Sequence, residues 1–318
     1  MREKMMGAVR VIEDEGAANF TFGVEIETTI PASASVSIGT YHHGSPVVDA
    51  PMFRGVAWKA ERDGSIVAGA GRIACEFVSP ILQGQEGIEN VLAFVAWIIS
   101  IGGKVNASCG LHVHVGVESV LGCRGTEATL AYVERATALT MFWQRAFYAQ
   151  TGTKGREQGR YCAPIGASKK DLFKTRTNGG LSPVTAVAYD SRYSILNIST
   201  AFGRGTIEFR CFAGTLNAQK IVHHVASCLA VASRARTIRR SAWRESKWSA
   251  AAVGAVGQKA LAGFYARMGW VRTPASRSGS TQVAYGLFGT LFDSSAVFMQ
   301  KAREMAKKYD QGAEVEAD

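Results

Sequence analysis

The chain has 318 residues, 47% of them hydrophobic, and 36 basic against 26 acidic side chains give it a formal charge of +10. That apolar content excludes a disordered chain, and the most apolar run, residues 91–101, is too short for a bilayer span, which needs about 20 such residues. The length allows one large domain or two modest ones, and the positive charge suits an anionic partner without naming it.

The N-terminal segment turns acidic at Glu13, Asp14 and Glu15, where a signal peptide would need a long apolar run. Six scattered cysteines contain no Cys-x-x-Cys pair, so no zinc ribbon or thioredoxin-type motif is visible, and they read as buried free thiols in a reducing compartment. A soluble, cytoplasmic protein without membrane association is the expectation.

The first strand is expected over residues 21–29. It contains Phe-Gly-Val-Glu-Ile-Glu at 22–27, whose alternation sends Val24 and Ile26 to a core and Glu25 and Glu27 together to the other face. A loop rich in Gly, Pro and Ser follows over 31–55 and holds His42 and His43, read as surface residues. From Val56 a strand reaches the turn signal Asp63-Gly64-Ser65. The next strand, 72–78, points Ile73, Cys75 and Phe77 one way and Glu76 the other, and Ser79-Pro80 ends it.

Apolar residues at Ile88, Val91, Leu92, Val95 and Ile99 predict a helix over 85–100, stopped by Gly102-Gly103. In the strand 109–116, Leu111, Val113 and Val115 alternate with His112 and His114. A long helix over 127–150 carries ordinary core residues such as Val133, Leu139 and Phe147. Residues 151–189 are Gly-rich and basic without the spacing of a phosphate-binding P-loop, which leaves an exposed loop or a lid over an anionic ligand. A hairpin is expected from residues 192–200 and 206–212, with Ile207, Phe209 and Cys211 on one face and Thr206, Glu208, Arg210 and Phe212 on the other.

Helices are expected over 218–236, 250–268 and 294–308. The arginines at 234, 236, 239, 240 and 244 read as a solvated helix end, and His223 and His224 as structural. We expect residues 1–217 to form the catalytic core and 218–318 a mostly helical part packed on the same domain.

Glu25, Glu27, Glu76, His112, His114, Glu208 and Arg210 thus gather on strand faces opposite the core. An antiparallel sheet often has one solvated face, but that alone predicts Thr, Lys and Ser as readily as acids, and gathered like charges repel unless cations lie between them. Carboxylates with one or two imidazoles suit Mg²⁺ or Mn²⁺, and the absence of a cysteine from the set disfavours zinc. Such sites neutralise nucleotide phosphates during phosphoryl transfer, with an arginine, here Arg210, stabilising the transferring group.

The blocks at 22–27, Asp-Gly-Ser at 63–65, Glu-Phe-Val-Ser-Pro at 76–80, Cys-Gly-Leu-His-Val-His-Val-Gly at 109–116, Arg192-Tyr193 with Asn197, and Gly-Thr-Ile-Glu-Phe-Arg at 205–210 occur in one order. Together they resemble the amidoligase family, similar in fold to glutamine synthetase and glutamate-cysteine ligase. The resemblance implies an α+β fold, a curved antiparallel sheet lining the active site with helices on its outer face, and an ATP-dependent carboxylate-amine ligase. It implies metal ligation by Glu25, Glu27, Glu76, Glu208 and one of His112 and His114. Arg210 and Asn197 are implied on the nucleotide side, and Arg192 and Arg210 as groups holding a carboxylate or developing charge. Asp63 is a candidate for deprotonating the incoming ammonium, although an aspartate in a turn more often bonds its own backbone.

The implied substrates are an amino-acid, peptide or protein carboxylate and an amine. A metal-dependent hydrolase of the amidohydrolase type is the second reading, since that fold also places His-x-His on a strand, but it needs further histidines at later strand ends. A basic nucleic-acid-binding protein is the third, and it leaves the glutamate and histidine strands unexplained.

Overall fold

The computed structural model describes residues 19–165, 192–238, 256–268 and 292–312. The chain runs β1 (Thr21–Pro31), β2 (Ser45–Pro46), β3 (Lys59–Glu61), β4 (Arg72–Val78), β5 (Leu82–Gln83), α1 (Gly84–Ser100), β6 (Gly110–Gly116), α2 (Val117–Leu121), α3 (Thr126–Ala149) and α4 (Gly155–Gln158). After residue 192 come β7 (Leu196–Asn197), a short 3₁₀ turn (Ser199–Ala201), β8 (Thr206–Ala213), α5 (Ala218–Thr237), α6 (Gly257–Arg267) and α7 (Phe292–Asp310).

Among the described residues the strands form one open sheet in the order β2-β3-β4-β1-β6-β8-β7, with β5 paired to the start of β1. Every named pair is antiparallel. This is the expected α+β class, and β1 is its central strand. One face of the sheet carries the core that the alternation predicts. Val24, Ile26, Phe77, Leu111, Val113, Ile207 and Phe209 are all buried.

Helices cover that face. Phe94 of α1 stacks on Trp58 at 3.8 Å between ring centroids and meets Phe77 edge-on at 5.4 Å. On the other half of the sheet, Phe147 of α3 stacks on Phe209 at 5.5 Å. Burial of a side chain of this size removes enough apolar surface from water to stabilise by about 1.5–3 kcal/mol each. α1 stops where expected, because Gly102 takes φ 81° and Gly103 N–H returns to Ile98 O at 2.9 Å. α7 closes the helical layer by capping α6, with the Asp310 carboxylate accepting the Gly257 N–H at 2.6 Å and the Gln258 N–H at 3.0 Å.

Three elements differ from expectation. The first strand of the hairpin shrinks to Leu196–Asn197, because Asn197 Oδ1 accepts the Ser199 N–H at 3.0 Å and turns the chain into the 3₁₀ segment. The strand after Val56 is only Lys59–Glu61. In β8 the simple alternation breaks. Leu111 faces Phe212 while Val113 faces Phe209, so Arg210 and Cys211 together oppose His112 in a bulge. Phe212 therefore joins the core side, where it stacks on His224 of α5 at 4.0 Å, instead of following Glu208 and Arg210.

All six cysteines are unpaired, and only Cys123 is exposed. No helix among the described residues is long and apolar enough to cross a membrane. Residues 166–191, the arginines at 239, 240 and 244, and the first residues of the helix expected from 250 lie outside the described residues.

Candidate active site

The register across the sheet assembles the polar face. Glu61 of β3 faces Glu76 of β4, which faces Glu27 of β1. One step along, Glu25 faces His112 of β6, and further across His114 faces Glu208 of β8, which faces Asn197 of β7. Residues directly opposite on neighbouring strands have side chains close enough to touch, so six separate strands deliver one cluster.

His112 lies at its centre. Its Nδ1 is 2.9 Å from Glu25 Oε2, 3.6 Å from Glu208 Oε1 and 4.0 Å from Glu76 Oε1, and its Nε2 is 3.4 Å from Glu27 Oε1. Glu27, Glu76, His112 and Glu208 are all buried, at 3–5% exposure, so these charges have little water to share. Glu27 is fixed by the Gly110 N–H, which donates to its Oε2 at 2.6 Å. Glu208 is fixed by the Asn197 amide, which donates to its Oε2 at 2.8 Å, and by an ion pair with Arg210.

Electrostatics follow from this crowding. Burial raises the Glu25 carboxyl, but His114 and then His112 outweigh it and hold Glu25 well below the usual carboxylate range. Burial pushes Glu76 well above that range, and the negative charges of Glu25, Glu27, Asp63 and Glu61 push it further. Burial lowers His114, yet Glu25 more than reverses the effect, and the imidazole is raised.

The donor set fits a hard divalent cation. Three groups each offer ligand atoms within 4.8 Å of one another: Glu25, Glu76 and His112; Glu25, His114 and Glu208; Glu27, Asp63 and Glu76. His114 Nε2 is buried and lies 3.1 Å from Glu25 Oε1 without the alignment of a hydrogen bond, which leaves it available as a ligand. Oxygen-rich sets with one or two imidazoles suit Mg²⁺ or Mn²⁺.

All of these side chains line one cavity of about 1060 Å³, together with Asn197, Arg210, Asp63 and Arg192. Asp63 Oδ1 accepts the Ser65 N–H at 2.6 Å, so it makes the bond of a turn aspartate while standing in the cavity wall. Arg192 is exposed in the cavity lining, and among the described residues it forms no ion pair with the carboxylates. His42 and His43 are exposed, and His42 belongs to the cavity lining.

Two lining residues gain roles that the sequence reading did not give them. Glu61 is buried beside Glu76, and its two-residue spacing from Asp63, the same spacing as Glu25 and Glu27, was the available signal. Arg156 of α4, which the sequence marks only as one of the basic residues of 151–189, donates from Nη2 to Arg210 O at 2.7 Å. His223 and His224 lie in α5 on the core side, so among the described residues the later histidines of a barrel hydrolase do not reach this site.

A family model described as "Putative amidoligase enzyme" matches residues 18–232, more than half of the chain. No protein with a curated description matches the sequence. Among solved structures, one described as a crystal structure of a novel glutamine synthase homolog aligns with 98% of this chain and 72% of its own at 10% identity and a TM-score of 0.41. The carboxylate and histidine clusters sit on strands inside the matched region and equip it for metal-dependent amide-bond chemistry. The chain therefore belongs to the amidoligase family.

Proposed function

We propose that the protein is an ATP-dependent carboxylate-amine ligase. The observation that carries this reading is the assembly, on one sheet face, of three overlapping carboxylate and imidazole groups beside the Glu208–Arg210 ion pair. In this reading the open antiparallel sheet corresponds to the curved catalytic sheet of glutamine synthetase-like ligases. In it, residues 1–217 are the catalytic core and 218–318 a mostly helical part of the same domain, and the enzyme works in the cytoplasm, where ATP is supplied.

Glu25, Glu27, Glu76, Glu208 and the histidines His112 and His114 would hold Mg²⁺ or Mn²⁺. Bound there, such ions neutralise phosphate charge and align it for transfer. The substrate carboxylate attacks the γ-phosphorus of ATP, giving an acyl phosphate and ADP. An amine then attacks the acyl carbon, the C–O bond to phosphate breaks, and inorganic phosphate leaves with formation of the amide.

The chain's own groups prepare these steps. The Arg210 guanidinium is held against Glu208 on the cavity side, where its fork suits phosphate or carboxylate oxygens. Asn197 positions Glu208 through its amide on the nucleotide side of the site. Asp63, whose second carboxylate oxygen is not used by Ser65, can take a proton from the incoming ammonium. Arg192 can receive the anionic substrate at the mouth. Burial of the floor excludes water that would otherwise hydrolyse an acyl phosphate.

The test is release of ADP and phosphate by the purified protein with Mg²⁺ or Mn²⁺, supplied with pools of amino acids, peptides and amines, with Glu27→Ala alongside. Turnover that needs both a carboxylate and an amine and disappears in the variant is expected. Absence of ATP binding in a direct titration with either metal would overturn the ligase reading.

A further inference from the structure

The cavity has a buried acidic floor and a different rim. Among the described tyrosines, phenylalanines and tryptophans, only Tyr41, Tyr161 and Tyr193 are exposed, at 52%, 47% and 47%, and all three line this one cavity. Beside them stand Arg160, Arg192 and Arg204, all exposed and, among the described residues, in no ion pair. An arginine lies over two of these three rings. The Arg160 guanidinium lies 5.8 Å from the Tyr161 ring centroid and that of Arg192 lies 5.7 Å from the Tyr193 centroid.

This rim is built into the fold. Ala163 N–H donates to Tyr193 O and Ile195 N–H to Ala163 O, each at 2.8 Å, so the two tyrosine-bearing segments are paired backbone to backbone. The rings meet edge-on at 5.7 Å. Arg210 Nε donates to Tyr161 O at 3.2 Å and ties the rim to the floor. Exposed rigid rings and free guanidinium groups are what recognition surfaces use, because they lose little conformational freedom on contact and arginine pairs with carboxylates in a fork.

We propose that this rim docks an acidic polypeptide segment, so that the carboxylate delivered to the floor belongs to a peptide or protein and not to a free amino acid. Repeated side-chain carboxylates along an extended segment meet Arg160, Arg192 and Arg204, while their aliphatic stems lie on Tyr161 and Tyr193. A free amino acid is small enough to be satisfied by the floor alone and leaves this rim without use. Single-stranded nucleic acid would use the same rings and cations, so it enters the test as the competing occupant. The chemistry at the floor rests on the ligase reading; the docking does not.

The test uses the full chain and fluorescence anisotropy with three labelled probes: a glutamate decapeptide, a glutamine decapeptide and a thymidylate decamer. The glutamate peptide is expected to bind at least tenfold more tightly than the glutamine peptide. The combined variant Arg160→Ala, Tyr161→Ala, Tyr193→Ala, Arg204→Ala is expected to lose at least tenfold. A second variant, Arg160→Glu with Arg204→Glu, changes only exposed positions and is expected to exchange preference toward a lysine decapeptide. Equal binding of glutamate and glutamine peptides, unchanged affinity in both variants, or tighter binding of the thymidylate through the same residues would each overturn the proposal. ADP release with free glutamate in a protein that ignores the decapeptide sinks the docking and spares the ligase. Decapeptide binding without any ATP turnover does the reverse.

Discussion

His112 on β6 stands directly across from Glu25 on β1, with its Nδ1 2.9 Å from Glu25 Oε2. Three further glutamates reach the same ring within 4.0 Å, so a single imidazole faces a concentration of carboxylate that needs more positive charge than it can supply. A divalent ion should therefore bind and stabilise the fold. At a hundredfold excess over Kd the gain is about 2.7 kcal/mol, roughly 4 °C in melting temperature for a chain of this size. Scanning calorimetry with and without Mn²⁺ measures it, and Glu76→Gln should reduce the shift by at least half. An unchanged wild-type melting temperature would count against a metal at this site.

Gly110 should not tolerate a side chain. A Cβ there would lie 2.9 Å from Arg156 Nη2 and 3.2 Å from His112 Nε2, and Arg156 is already committed to Arg210 O. Since alanine keeps the N–H that Glu27 accepts, the damage should fall on geometry. We expect Gly110→Ala to lower kcat by about 10²-fold, as misplacement of about 1 Å does, while the melting temperature drops by only a few degrees. Steady-state kinetics beside a thermal melt separates the two.

Acid should destabilise the helical layer through His223. Its Nε2 shares a hydrogen bond of 2.8 Å with the Tyr265 hydroxyl, and burial pushes the imidazole down to about 4. Between the unfolded value near 6.5 and that lowered value, the unfolded chain binds the proton and the native one does not. Stability is thus full above about pH 6.5 and falls as pH drops toward 4, by on the order of 3 kcal/mol for this group. His224, also lowered by burial, adds in the same direction. His223→Gln keeps an acceptor for Tyr265 and should flatten the decline, as read from urea midpoints at pH 6.5, 5.5 and 4.5. A variant with the parent's pH profile would refute this account.

Trp58 is wholly buried on the core side and donates from Nε1 to Asn90 Oδ1 at 2.9 Å, while Asn90 Nδ2 holds Met52 O at 2.9 Å. Trp58→Phe retains a ring against Phe94 but leaves a buried carbonyl oxygen unpaired. The expected cost is about 1–3 kcal/mol, seen as a lower urea midpoint with an unchanged slope, with substrate turnover intact at moderate temperature.

How far the sequence revealed the site depends on the range of the signal. Glu25, Glu27, His112 and His114 were legible because a strand's two-residue period is local and each pair sits between buried aliphatic neighbours. Glu61 was not, because β3 is three residues long and its place follows from pairing with Glu76, a register no local pattern encodes. Arg156 belongs to the basic segment that the sequence flags, but its contact with Arg210 comes by tertiary approach. Phe212 was assigned to the wrong side since a bulge inserts a residue without a local mark. The short β7 likewise reflects a side chain, Asn197, capturing its own backbone.

That bulge in β8 divides the strand's labour. Upstream of it, Glu208 and Arg210 answer to whatever occupies the cavity; downstream, Phe212 pairs with Leu111 of β6 and packs against α3 and α5. Of residues 206–210 only Glu208 and Arg210 face the cavity, so the chemistry can be rewritten at those two positions while Ile207 and Phe209 keep the core contacts with the helices. Changes made for the sake of the cavity therefore have a natural seam at Cys211.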